Sequence, residues 1–76
     1  MLLEKYSGRH VSTGMVLRFF EYEHLPEHLQ SVSKACCDLA MQMVDMFPDD
    51  PELTVGLRKL LEAKDAFVRT AVAHRD

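Results

Sequence analysis

Two stretches bounded by prolines most constrain what this chain can fold into. In the first, residues 27–47 contain neither Gly nor Pro. Apolar side chains recur there three and four residues apart, which is typical of a helix packed lengthwise on another helix. They are Leu29, Val32, Cys36, Leu39, Met43 and Met46. We therefore predict a long helix over about residues 26–47, with this stripe as its buried seam.

The sequence PDDPE at residues 48–52 ends that helix and begins another. Pro48 stops the first helix, Asp50 is suited to be an N-cap, and Pro51 suits the first helical position. A second helix is predicted over about residues 51–74. Because the connection is so short, the two helices are expected to run antiparallel as an αα-hairpin.

The second helix carries more apolar surface than one partner helix covers. A first stripe contains Leu53, Leu57, Leu60, Phe67 and Ala71, and a neighbouring stripe contains Leu57, Leu61, Val68 and Val72. One antiparallel helix covers about one stripe, and a chain of 76 residues buries a modest core by itself. We expect the remainder to meet the N-terminal segment, another copy of the chain, or both, and we predict a homo-oligomer.

The chain is predicted to divide into a mobile N-terminal segment, residues 1–12, and a helical hairpin domain, residues 13–76. Within residues 13–23 the apolar positions fit both helical spacing and strand-like alternation. We expect a short helix or an extended arm there, packed over the hairpin. The predicted fold class is all-α.

Charge and hydropathy exclude several kinds of partner. The formal net charge is −3 and the sequence pI is about 5.7, whereas binding to duplex nucleic acid usually requires a basic balance. No apolar run approaches the roughly 20 residues of a membrane span. The start, MLLEKYSGRH, lacks the pattern of a secretory signal. We expect a soluble cytoplasmic protein that binds neither duplex nucleic acid nor a membrane.

The sequence offers no pattern typical of an enzyme. It contains no GxSxG, P-loop or GxGxxG motif. Cys36 and Cys37 are adjacent and cannot easily bridge each other; we interpret both as small apolar fillers rather than nucleophiles. The four histidines have no CxxC companion, which argues against structural zinc. We predict no enzyme activity, no metal and no cofactor.

One candidate binding cluster surrounds the start of the first long helix. Tyr22, His24 and His28 flank Pro26, and a helix N-terminus attracts anions through its free N–H groups and its dipole. A Tyr ring can stack on a nucleobase, and a His can donate to a phosphate. The alternative is that Tyr22 packs on the helix start and both histidines are solvated.

Basic side chains are distributed along the predicted second helix and just beyond its end. They are Arg58, Lys59, Lys64, Arg69 and Arg75. Asp65 and Arg69 have the spacing of a favourable i,i+4 pair, as on many exposed helix faces. Lys64 interrupts the apolar stripe that begins at Leu53, where a solvated residue is not expected. It either extends its ammonium to an edge or points into a polar cavity between subunits.

Three stretches, FEYEHLPEHLQSVSKACCDLA, PDDPE and LRKLLEAKDAFVR, resemble the small phage hairpin proteins of the second anti-CBASS family. The same helical hairpin domain occurs in phage proteins that counter Thoeris defence. The resemblance covers about residues 19–73 and rests on overall pattern. It implies a helical homo-oligomer, typically a hexamer, in the cytoplasm of the infected bacterial host. Members of this family act as sponges, which means that they bind cyclic di- or trinucleotide messengers without cleaving them. CBASS-type immune signalling is thereby blocked.

The resemblance carries over onto part of the candidate site. Tyr22 matches a family Tyr ahead of the first long helix, and Arg69 matches an Arg late in the second helix that contacts cyclic trinucleotides. In the family, a Lys near the start of the first long helix contacts dinucleotides. It has no match here, because His28 or Cys37 occupies that position, depending on where the gap is placed. A Thr just after it is also missing, with Gln30 nearest. The resemblance therefore favours trinucleotides over dinucleotides, and a cyclic ADP-ribose type of signal stays open.

The candidate ligand-binding residues are thus Tyr22, His24, His28, Lys64 and Arg69. A function of a different class stays open beside the sponge. A small helical oligomer could act as a protein-interaction or regulatory module and use its surplus apolar surface for a partner helix. A small DNA-binding regulator is disfavoured by the acidic balance.

Overall fold

The computed structural model describes residues 2–74 of the chain, with side chains from Glu4 onward. The described residues form helices and no strands, so the predicted all-α class is confirmed. In chain order the elements are α1 (Leu2–Lys5), α2 (Val11–Leu17), a 3-10 helix (Arg18–Phe20), α3 (Glu27–Met46) and α4 (Pro51–Ala73). The two long helices differ from the predicted ranges by one residue at most.

Local chemistry explains where the two long helices end and begin. Phe47 is extended, with φ −129° and ψ 150°, as expected for the residue before a proline. Asp50 is the N-cap of α4, and its Oδ1 accepts a hydrogen bond of 2.8 Å from the N–H of Glu52. Pro51 takes the first helical position, where its missing N–H costs nothing. The cap predicted at Asp50 is confirmed.

The long helices α3 and α4 make the most extensive contact between elements. The N-terminal elements cover part of this pair, because α2 packs on α4 and the 3-10 helix packs on α3. The molecule measures 41 × 22 × 17 Å. Since a helix with its side chains is about 10–12 Å across, so thin a body buries few residues completely.

The core lies where α2 and the 3-10 helix meet α3 and α4. Leu17, Phe20, Ala40 and Val44 have no exposed surface, and Leu57 is 1% exposed. Burying an apolar side chain of this size contributes about 1.5–3 kcal/mol. This one cluster therefore supplies most of the apolar stabilisation in a single chain.

The seam predicted on α3 is wrong in part. The buried residues of α3 are Leu29, Ser33, Cys36, Cys37, Ala40 and Val44. By contrast, Leu39 is 42% exposed and Met46 is 65% exposed. The buried side is rich in small side chains, which let the 3-10 helix pack closely on α3. A hydrophobic pattern gives such small residues little weight, so it selected the neighbouring stripe.

Most apolar side chains of α4 keep contact with solvent. Leu57 is the buried residue of this helix, and Leu53, Leu60 and Leu61 pack half-buried against the core. Towards the C-terminal end Phe67 is 56% exposed. The surplus apolar face that the sequence indicated is therefore open in one chain.

The N-terminal segment folds back onto the end of α3. The ring of Tyr6 is part of the core, and Arg9 donates hydrogen bonds of 2.6 and 2.7 Å to the carbonyls of Val44 and Phe47. The carbonyl of Val44 would pair with residue 48 in a continuing helix, but Pro48 has no N–H. Arg9 thus caps α3 at its C-terminus. The mobility expected for residues 1–12 stays a prediction, although the segment has these fixed contacts.

Candidate functional site

Tyr22 lies in the non-helical segment between the 3-10 helix and α3. Its ring is half-buried against the core. The N–H of Leu25 donates to the carbonyl of Tyr22 at 3.0 Å, and the side-chain amide of Gln30 donates to the carbonyl of Leu25 at 2.9 Å. These bonds fix the turn that leads into α3, and with it the position of the Tyr22 ring.

Tyr22 borders a cavity of about 340 Å³, which we name the Tyr22 cavity. The other residues that line it are Lys5, Glu21, Glu23, Cys37, Asp38 and Met41. The Nζ of Lys34 is 2.8 Å from Oδ2 of Asp38, and this hydrogen bond raises the pKa of Lys34. The lining includes three acidic residues, Glu21, Glu23 and Asp38, and one basic residue, Lys5. In one chain the cavity therefore suits an uncharged ring better than a phosphate.

The two cysteines are structural in character. Cys37 is 2% exposed, and its Sγ is 3.9 Å from Sδ of Met41. Burial raises the pKa of Cys37 to about 11 and also raises the pKa of Cys36. Since the thiolate is the reactive form, both side chains are poor nucleophiles at neutral pH.

The two candidate histidines lie at the start of α3, and both are exposed. His24 is in the turn before Pro26, and His28 is the second residue of the helix. Pro26 is the N-cap and no side chain caps this helix, so the positive end of its dipole is accessible beside the histidines. Neither histidine is among the residues that line the Tyr22 cavity.

The two candidate cations of α4 differ in their surroundings. The side chain of Lys64 is 13% exposed, and its Nζ is 2.9 Å from Oδ1 of Asp65. Lys64 is also close enough to Cys36 to counteract part of the rise in its pKa. Arg69 is exposed. The ion pair predicted between Asp65 and Arg69 is wrong, because Asp65 pairs with its neighbour Lys64.

The five predicted ligand residues therefore do not line one cavity. Tyr22 borders its cavity next to Cys37, whereas Lys64 lies near Cys36 on another side of α3. Among the described residues, no three His, Cys, Asp or Glu side chains are placed to hold a metal ion. No helix within residues 2–74 has the length and apolar character needed to cross a bilayer.

A second cavity, of about 540 Å³, runs between α3 and α4, and we name it the α3/α4 groove. Its residues are Leu39, Met43, Phe47, Pro48, Asp50, Glu52, Leu53, Gly56, Leu57 and Leu60. Apolar side chains dominate, and the two carboxylates are near the turn. A Cβ added at Gly56 would meet no atom within 4 Å. The apolar pattern of the sequence did not predict this groove; its one local sign is Gly56 between Leu53 and Leu60.

A polar cavity of about 360 Å³ lies where α2 meets the start of α4. It is lined by His10, Ser12, Thr13, Asp49, Asp50, Pro51 and Thr54. Its two carboxylates are already engaged. Asp49 accepts from Arg9 at 2.7 Å and from the N–H of His10 at 3.0 Å, and Asp50 caps α4. We interpret this region as the structural junction between the N-terminal segment and the turn.

No protein-family model, curated protein or solved structure matches the chain.

Proposed function

We propose that this chain sequesters cyclic oligonucleotide second messengers without cleaving them, as a phage protein that blocks CBASS-type bacterial defence. The observation that carries the proposal is where the three stretches of the family resemblance lie. They cover the approach to α3 with the helix as far as Ala40, the turn at residues 48–52, and residues 57–69 of α4. Together they form one helical unit, which we propose is the antiparallel hairpin of that family.

The Tyr22 ring supports a role in base recognition. It is fixed by the turn before α3, it is half-buried, and it borders a cavity. Stacking of a base on an aromatic side chain contributes about 1–3 kcal/mol and needs no catalytic group. The neighbouring carboxylates disfavour a phosphate in the Tyr22 cavity. We therefore propose that Tyr22 contacts the base of the ligand and not its phosphates.

The phosphates then require cations from elsewhere, and α4 carries them. Arg69 is exposed on α4, and Lys64 is largely covered. In a symmetric homo-oligomer, for which we propose a hexamer, copies of one Arg come together around an axis. Repeated cations of this kind match the repeated charges of a cyclic trinucleotide, and Arg–phosphate hydrogen bonds are among the strong ones.

A thermal-shift and calorimetric screen tests the proposal. The ligands are cyclic dinucleotides, cyclic trinucleotides and cyclic ADP-ribose isomers. A ligand at about 1,000 times its dissociation constant stabilises a protein by about 4 kcal/mol, which gives a large rise in Tm. We expect one of these classes to bind and to be recovered intact after heat denaturation. No rise in Tm with any of them would contradict the proposal.

Matched variants assign the residues. Arg69→Ala is expected to weaken trinucleotide binding at least tenfold, and Tyr22→Ala is expected to weaken it by a comparable factor through lost stacking. Arg58→Ala, another exposed cation on α4, is the control and should bind as the wild type does. Equal affinity of the Arg69 and Arg58 variants would remove Arg69 from the site.

The second candidate function is a small helical oligomer that acts as a protein-interaction or regulatory module. The exposed apolar side chains of α3 and α4 favour it, for example Met46 at 65% and Phe67 at 56% exposure. The same screen separates the two functions. A host protein that binds the purified chain with equal affinity with and without cyclic nucleotides would favour the module.

A further inference from the structure

One face of α4 carries an apolar pattern of its own. Its residues are Leu53, Gly56, Leu60, Ala63 and Phe67, spaced three and four apart. At 100° per residue they fall within about 80° of the helix circumference, which is the pattern of a helix that packs on another helix. Leu53 and Leu60 are half-buried, Gly56 is exposed, and Phe67 is 56% exposed. Helix α3 therefore covers this face only in part.

Two features of this face are complementary to each other. Above Gly56 there is room, because an added Cβ would meet no atom within 4 Å and the residue lines the α3/α4 groove. Phe67 is a large exposed ring 11 residues further along, which is about 16 Å on a helix. A protruding ring and a recess on one helix face fit a second copy turned end for end.

We propose that a second copy of this chain docks on the α3/α4 groove through antiparallel packing of α4 on α4. With the two-fold axis between residues 61 and 62, Phe67 of each copy inserts above Gly56 of the other. The same register sets Leu60 against the partner's Ala63, a large side chain against a small one. Such an interface is the same patch on both copies, as a closed dimer requires.

Charge favours the antiparallel arrangement over a ligand with negative charge. The groove ends at Asp50 and Glu52 near the turn, which repel an anion. The antiparallel partner brings the C-terminal end of its α4 there, with an exposed histidine at position 74. Residues 66–74 of the partner contain no Asp or Glu, so this end of its helix brings no carboxylate against Asp50 and Glu52. This inference rests on the self-assembly that is part of the proposed function, and it does not require a bound ligand.

Sedimentation velocity and native mass spectrometry of the full chain test it, with three variants. Gly56→Leu fills the recess, and Phe67→Ala removes the ring. Val55→Ala is the control, because Val55 is also exposed, at 46%, but lies outside this face of α4, about 120° from its centre. We expect the wild type to self-associate, and both face variants to raise the dissociation constant about tenfold or more. The control should assemble as the wild type does.

Folding of the variants is checked independently. Replacing Gly in a helix interior by Leu favours the helix, so Gly56→Leu should keep or raise the Tm of the separated chain. The sequence has no Trp, so Phe67→Trp adds a single fluorophore at the contact. Its emission should move to shorter wavelength as concentration rises through the association range.

Two results would overturn the inference. One is a wild type that stays monomeric up to millimolar concentration. The other is assembly of Gly56→Leu and Phe67→Ala with the affinity of the control. The two proposals fail separately: an assembly that both face variants weaken but that binds no cyclic nucleotide would contradict the proposed function and support this interface.

Discussion

The phenol of Tyr6 donates a hydrogen bond of 2.9 Å to Oδ1 of Asp45, 39 residues further along the chain. The ring is 6% exposed and packs in the core with Val44. Burial, followed by the hydrogen bond to Asp45, raises the pKa of Tyr6 to about 12. This contact connects the N-terminal segment to the last turn of α3 in a way that depends on protonation.

Alkaline pH is expected to destabilise the fold through this contact. The folded pKa of Tyr6 lies above its ordinary value of about 10. The contribution of neutral Tyr6 to the free energy of unfolding is therefore complete below pH 10 and is lost as pH rises towards 12. The pKa difference corresponds to a loss of about 2–3 kcal/mol. The raised pKa of Cys37, about 11, acts in the same direction from about pH 9. Urea unfolding measured from pH 8 to 12 should show the decline.

The Tyr6→Phe variant identifies the group responsible. It loses one hydrogen bond, about 1 kcal/mol at neutral pH, and should have a flatter dependence of stability between pH 10 and 12. A slope equal to that of the wild type in this range would show that another group titrates.

Arg9→Ala is expected to lower the free energy of unfolding by about 1–3 kcal/mol. The change removes the donors to the carbonyls of Val44 and Phe47 at the end of α3 and to Asp49, and hydrogen bonds from charged donors contribute about that much. Chemical denaturation at pH 7 measures the change. Arg18→Ala, which removes an exposed arginine from the neighbouring 3-10 helix, should cost much less, and equal losses would contradict the capping role.

Arg9 also makes the free energy of unfolding depend on pH in the acidic range. Its hydrogen bond lowers the pKa of Asp49, so the stabilising contribution exists above the ordinary carboxyl range and is lost as pH falls through the folded pKa. Denaturation of wild type and Arg9→Ala between pH 5 and 2 should show a smaller acid-induced loss in the variant. Parallel curves would exclude the Arg9–Asp49 pair as a source of that loss.

Asp50→Ala is expected to cost about 1 kcal/mol, since it removes the side-chain acceptor of the Glu52 N–H at the start of α4. In a domain of this size that corresponds to a fall in Tm of roughly 4–8 °C. Asp50→Ser keeps an acceptor and should recover most of the loss. If the Ala and Ser variants melt together, the cap does not stabilise α4.

Ser33→Ala is expected to stabilise the protein. The Oγ of Ser33 is buried and has no hydrogen-bond partner among the described residues, and an unpaired buried hydroxyl costs about 1–3 kcal/mol. Ser31→Ala, at an exposed position of the same helix, controls for the better helix propensity of Ala. The Tm of the Ser33 variant should exceed that of the Ser31 variant. The reverse order would indicate that Ser33 forms a hydrogen bond in solution.

The long helices could be predicted because their boundaries depend on neighbouring residues. Pro48, Asp50 and Pro51 act within one turn, so reading the local sequence is sufficient. The buried side of α3 could not be predicted in the same way. It depends on which elements pack there, and the small side chains of Ser33 and Ala40 are buried in a fold where the 3-10 helix packs on α3.

The contacts of the candidate site were less predictable than the helices. The spacing of Asp65 and Arg69 fits an ion pair, but Lys64 is nearer and takes the carboxylate. Tyr22 could be selected as an aromatic residue ahead of a helix start. The acidic lining beside it combines Glu21 and Glu23 with Asp38, about three turns into α3, a combination that spacing along the chain does not show.

The hydrogen bonds of Arg9 at the C-terminus of α3 have a consequence for biosynthesis. Its partner Asp49 is 40 residues further along, and ribosomes add about 5–20 residues per second. The arginine therefore exists for about 2–8 seconds before its acceptor has been made. Until residues 44–49 have been made, the Tyr6 phenol and the Arg9 guanidinium lack their native hydrogen-bond acceptors, so the N-terminal segment cannot close onto α3 before that point of translation.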